Sequence, residues 1–138
     1  MTNRRQIALE PEVKSLAKMR VLIEEVCQAA GIGSEVIHQI QLASDEACAN
    51  IIEHGYAGLT PAPLQVRVEI DPRQVIVEIS DSGHPFPPVE PPAPDAKALL
   101  ASDREGGLGI YLMYRTMDEI SYRTEDGINT LRMAKKLP

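Results

Sequence analysis

LQVRVEIDPRQVIVEIS, Leu64–Ser80, is the stretch that decides the fold. Leu64, Val66, Val68 and Ile70 alternate with Gln65, Arg67 and Glu69, and Val75, Val77 and Ile79 repeat the alternation. A period of two places the apolar set on one face of an extended chain. The intervening Asp71-Pro72-Arg73-Gln74 is turn chemistry, so the two runs predict an antiparallel hairpin. Its opposite face, with Gln65, Arg67, Glu69 and Glu78, reads as wet.

An apolar sheet face must be covered, and the flanking sequence supplies helices to cover it. From Glu12 to Ala30 the residues Val13, Leu16, Ala17, Ile23, Val26, Cys27 and Ala30 recur at helical spacing, and Gly31 supplies a stop. Ser34 reads as the N-cap of a second helix running to about Glu53. A third helix is expected from about Leu108 to Thr116. EISYRT and INTLRMAKK form a second hairpin around Glu125-Asp126-Gly127, and Arg5–Leu9 is a short first strand. The expected fold is an α/β (α+β) two-layer sandwich, a mostly antiparallel sheet with three helices on one face. Residues 1–138 are expected to form a single domain.

A chain of 138 residues buries a real core without staples, and 43% hydrophobic with 25% charged residues is ordinary for a globular protein. The net charge of −6 argues against nucleic-acid binding by phosphate neutralisation. Cys27 and Cys48 lie in expected helices with no C-x-x-C neighbourhood and read as buried free thiols in a reducing compartment. The N-terminus has no apolar leader, and no run reaches 18 apolar residues. Together these features imply a cytoplasmic protein with no membrane or direct nucleic-acid partner.

Within the second helix, SDEACANIIEHGY (Ser44–Tyr56) places Glu46, Asn50 and Glu53 at spacings of four and three, one line on the helical surface. Ile37, Ile40, Ser44, Ala47, Cys48 and Ile51 form the side that meets the sheet, and the polar line lies on its shoulder, flanked by Leu42 and Ala49. A solvated face and a functional stripe both fit this placement. From Ser34 to Tyr56 there is no Lys or Arg, so carboxylates at the core margin call for another cation. Mg²⁺, which takes oxygen ligands and water, is the candidate.

Asp81-Ser82-Gly83 follows directly on a strand, as a plain Asx turn or as a carboxylate aimed from the strand end. Gly106-Gly107-x-Gly109 opens a helix, as a flexible lead-in or as a phosphate cradle of free N–H groups. Between them, six of the eleven prolines fall from Pro85 to Pro94, which excludes helix and inner strand and reads as a lid over about residues 84–105. His54 reads as a structural or supporting residue at the helix end, and His38 and His84 as surface residues. Met113 and Met117 sit at core spacing.

In order, ExxxN on a helix, then DSGHPF, then GGLGI resemble the N, G1 and G2 boxes of the GHKL superfamily with its Bergerat ATP-binding fold, which includes gyrase-type ATPases and sensor histidine kinases. SDEACANIIEHGY and GGLGIYLMYRTMDEISY are most similar to the small anti-sigma-factor serine/threonine protein kinases, and the resemblance runs from Leu16 to Met133. It implies ATP and Mg²⁺ as cofactors, with Asn50 as metal ligand and Glu46 as catalytic base or orienting carboxylate. Asp81 would accept a hydrogen bond from the adenine amino group while Gly83 lets the base approach. Gly107 and Gly109 would offer N–H groups to the phosphates, with Arg104 as a lid cation. The implied activity is transfer of phosphate to Ser or Thr of a STAS-type anti-anti-sigma antagonist. The chain would also sequester a sigma factor or other regulated protein, working as a homodimer. Two alternatives are a nucleotide-binding interaction module without phosphotransfer and the catalytic domain of a split histidine kinase.

Overall fold

The computed structural model describes residues 3–88 and 107–138. Five strands form one antiparallel sheet in the order β1-β2-β3-β5-β4. They span Asn3–Leu9 (β1), Leu64–Ile70 (β2), Gln74–Asp81 (β3), Glu119–Glu125 (β4) and Ile128–Lys136 (β5). Helices α1 (Leu16–Ala29), α2 (Ser34–Asn50) and α3 (Gly107–Thr116) accompany the sheet. Residues 9 to 80 therefore follow the expected order, and the sheet is antiparallel throughout.

The central hairpin forms as its alternation requires. Leu64, Val66, Val68, Ile70, Val75, Val77 and Ile79 are all buried, each stabilising the fold by about 1.5–3 kcal/mol relative to exposure. Its turn is closed by Asp71, whose Oδ1 accepts from the N–H groups of Arg73 (2.7 Å) and Gln74 (3.0 Å). The second hairpin turns through Asp126 (φ 53°) and Gly127 (φ 79°), the paired positive φ of a type I′ turn.

The opposite sheet face is less open than the alternation suggests. Gln65 is exposed, but Glu78 is mostly enclosed, held by Arg67 and by Arg123 from β4 at 4.0 Å. Alternation along one hairpin does not reveal that a third strand will lay an arginine over it.

The first helix begins later than its apolar spacing suggests. A 3₁₀ turn at Val13–Ser15 leads into α1, leaving Val13 exposed. It ends as Gly31 requires, in a Schellman motif with Ile32 N–H on Cys27 O (3.0 Å) and Gly31 N–H on Gln28 O (3.0 Å). Ser34 is the first residue of α2 rather than its cap; Gly33 occupies the cap and no side chain bonds there. Leu16, Met19, Leu22, Ile23, Val26 and Cys27 of α1 join Ile37, Ile40, Ala43, Ala47 and Cys48 of α2 in one core with the sheet. The carboxylate of Asp45 has a basic partner after all, Arg20 of α1 at 3.0 Å, which a reading confined to α2 could not supply.

Candidate active site

α2 stops at Asn50, short of the expected Glu53. The chain continues as a π turn over Ile51–Gly55, a widened turn that recurs at functional positions. It carries the Gly55 carbonyl out to accept the N–H of His84 at 2.7 Å. The end of α2 is thus joined to the loop that follows β3. Gly83 sits so close to this turn that a Cβ there would run into the Gly55 carbonyl oxygen. His84 is exposed, as expected of a surface residue, and its Nε2 donates to Ala57 O at 2.7 Å. His54 stacks on Phe86 with ring centroids 6.0 Å apart.

Between α2, the loop after β3, α3 and the β4–β5 hairpin lies a cleft of about 410 Å³ counting its open mouth. Ala47, Asn50, Asp81, Met113, Tyr122 and Leu131 are among the residues that line it, with Phe86 and Pro88 at the rim.

Asp81, the last residue of β3, is 6% exposed. Its Oδ1 accepts from Gly83 N–H (2.8 Å) and from Asn129 Nδ2 (3.0 Å), and Oδ2 takes neither bond. Asn129 faces Asp81 across the β3–β5 pair and also donates to Gly83 O at 2.9 Å. The loop beyond is held by tyrosine hydroxyls. Tyr56 accepts from Ser82 N–H (3.3 Å), Tyr122 accepts from Phe86 N–H (2.9 Å), and Tyr114 of α3 donates to Pro88 O (2.7 Å). Three of the four tyrosines in the chain thus grip one short loop. Asn129 and Tyr122 are the site residues that the motif reading missed.

Glu46 and Asn50 face the N-terminal part of α3. The Asn50 amide donates to Glu46 Oε1 at 3.3 Å, which leaves its own carbonyl oxygen free of that contact. A Cβ on Gly109 would land on the Glu46 carboxyl group, so a side chain there would require Glu46 to move. Burial, reinforced by the charge of Glu53 and opposed by the Asn50 bond, raises the Glu46 pKa above the ordinary glutamate value. Glu46 has no basic partner among the described residues. The structure therefore brings together Glu46, Asn50, Asp81, Gly83 and Gly109, with Gly107 opening α3. Arg104 and most of the proline-rich segment lie outside the described residues.

These residues fit a nucleotide and its metal. Asp81 offers a carboxylate oxygen at the wall of an apolar cleft, the usual make-up of a ligand site. Among the described residues no three His, Cys, Asp or Glu converge as a protein-only metal cage. Mg²⁺ needs only one or two protein oxygens beside phosphates and water, which the Asn50 carbonyl can supply. Cys27 and Cys48 take no part: burial raises their thiols to about 11 and about 12, leaving them protonated and inert.

Residues 9–135 match the Histidine kinase-like ATPase domain family. The chain is 29% identical over 138 residues to the serine-protein kinase RsbW of Bacillus velezensis, covering 96% of this chain and 83% of that protein. It is 31% identical over 94 residues to the serine/threonine-protein kinase BtrW of Bordetella bronchiseptica, covering 68% and 66% respectively. Among solved structures, the RsbU and RsbW domains of Rv1364c from Mycobacterium tuberculosis share the fold. The TM-score there is 0.70 at 17% identity, with 99% of this chain spanning 33% of that one. The SiaB-SiaC complex of Pseudomonas aeruginosa gives 0.64 at 15% identity, covering 94% of this chain and 88% of its counterpart. With the family match running over nearly all of its length, the chain belongs to the histidine kinase-like ATPase domain family.

Proposed function

We propose that the protein is an ATP-dependent serine/threonine protein kinase that regulates a partner by holding it and releasing it. The observation that carries this reading is that Asp81 and Asn50 line one cleft, with Asn50 bonded to Glu46, whose carboxyl group lies against Gly109. Asp81 Oδ2 takes the adenine amino group, with Gly83, which carries no side chain beside Gly55, letting the base approach. Asn50 would hold Mg²⁺ through its amide oxygen, Gly107 and Gly109 would offer N–H groups to the phosphates, and Arg104, of the lid over about residues 84–105, would add a cation. Bound MgATP supplies the transferable phosphoryl group and a metal that screens its charge. Glu46, made more basic by burial, accepts the proton of an incoming Ser or Thr hydroxyl.

The names of its relatives support the rest. Serine-protein kinases of the RsbW type are similar along most of this chain, and one structural neighbour was solved in complex with a second protein. The protein phosphorylated is a STAS-type anti-anti-sigma antagonist, and the protein sequestered is a sigma factor or other regulator. The chain works as a homodimer in the cytoplasm, as one domain over residues 1–138. None of its described helices is long and apolar enough to cross a membrane.

Calorimetry with ATP and ADP, in Mg²⁺ and then in EDTA, tests the site. Asp81→Asn should weaken binding about tenfold to a hundredfold with or without metal. Asn50→Ala should remove only the Mg²⁺-dependent part. Absence of binding at millimolar nucleotide would leave a family-shaped interaction domain with no kinase activity.

A further inference from the structure

We infer that Asn129 is a positioning residue that makes the cleft selective for 6-amino over 6-keto purines, an inference that rests on the nucleotide reading above. Asn129 is 1% exposed, and each of its amide groups has a defined task. Its Nδ2 donates to Asp81 Oδ1 (3.0 Å) and to Gly83 O (2.9 Å), while its Oδ1 accepts from Thr124 Oγ1 (2.8 Å). Turning the amide over would aim Oδ1 at a carboxylate oxygen and a carbonyl oxygen, acceptor against acceptor on both sides. The two acceptors therefore fix its orientation.

The consequence falls on Asp81. With Gly83 N–H and Asn129 Nδ2 both on Oδ1, that oxygen is engaged inside the protein, and the carboxylate cannot rotate without breaking two bonds. Oδ2 is left as a fixed acceptor. An amino group at the purine 6-position meets it as a donor; a keto oxygen there meets it as a second acceptor and is rejected. Without Asn129 the carboxylate is pinned only by the adjacent turn, and it can turn away from a keto group. Through Gly83 O, Asn129 also holds the turn that follows Asp81. A residue that merely pins β5 to β3 would affect stability and all nucleotides alike. A residue that aims Asp81 changes the ratio between them.

The test is calorimetric titration of the full chain with MgATP and MgITP, for wild type, Asn129→Ala, Asn129→Thr and Thr124→Val, with thermal unfolding as the check on folding. Wild type should prefer ATP by about tenfold to a hundredfold, the effect of one hydrogen bond to a charged group. Asn129→Ala should shrink this preference about tenfold, Asn129→Thr should restore part of it through its one donor, and Thr124→Val should shrink it less. Should Asn129→Ala fail to fold, Thr124→Val decides. An unchanged ATP-to-ITP ratio in a folded Asn129→Ala variant, or in Thr124→Val, overturns the inference while nucleotide binding stands. Wild type that binds both equally also overturns it. Wild type that binds neither brings down the nucleotide reading itself, a separate and distinguishable result.

Discussion

The two ends of the cleft are built differently. At the sheet end, Asp81, Gly83, Asn129 and Thr124 form a closed set of hydrogen bonds, and tyrosine hydroxyls hold the loop beside them. At the helix end, Glu46 and Asn50 share a single bond of 3.3 Å, and close packing against Gly109 does the rest. The sheet end is arranged to recognise a shape whose polar groups are fixed. The helix end carries acidic charge raised in energy by burial, suited to a cation and to charge that moves during a reaction. Bonded rigidity serves selection, and destabilised charge serves chemistry.

The sharpest way to break this contrast is Glu46→Gln. Phosphotransfer should fall about 10²–10⁴-fold, the usual contribution of a general base, while ATP affinity stays within a few-fold. Transfer at the wild-type rate would mean the base lies elsewhere. The same residue makes a claim about pH. Its carboxyl pKa is raised in the folded protein, so the native state holds this proton more tightly than the unfolded chain. Its stabilising contribution is complete below the unfolded value of about 4.3 and is lost as pH rises through the higher folded value. Glu46→Gln should therefore raise the thermal midpoint more at pH 8 than at pH 4. An equal change at both would remove burial as the cause.

The glycines sharpen the contrast. At Gly83 an added Cβ meets the backbone carbonyl of Gly55, which cannot step aside, so Gly83→Ala should cost about 1–3 kcal/mol in urea unfolding. At Gly109 it meets the end of the Glu46 side chain, which can move. Gly109→Ala should lose less stability and show its defect in transfer. A larger stability loss at Gly109 would show that the helix end is the more rigid. Smallest is Tyr122→Phe, which releases the Phe86 N–H and should cost about 0.5–1.5 kcal/mol with a modest loss of ATP affinity.

What the chain disclosed before folding tracks the range of each interaction. The central hairpin was readable because alternation is local, and the Glu46–Asn50 line because four residues make one helical turn. Asp81 and Gly83 were readable as a short motif at a strand end. Asn129 was not, since its role depends on β5 lying beside β3 in a register that sets it against a residue 48 positions away. Arg20 on Asp45 and Arg123 on Glu78 escaped for the same reason. The partners of His84 depend on where the π turn sends two carbonyl groups, and an EHGY run gives no periodic sign of widened winding.

That π turn makes the length of the chain at Ile51–Gly55 matter as much as its composition. Five residues in a π turn cover nearly the same rotation as four in an α-helix. Deleting one there would therefore restore ordinary winding and remove the bulge while leaving the chain beyond it nearly in phase. The bulge from which the Gly55 carbonyl meets His84 and the His54 ring meets Phe86 would be lost, although every named site residue remained in the chain. Substitutions across Ile51–Gly55 keep the five-residue count on which the bulge depends, whereas a deletion does not, so the count of this segment is part of the site.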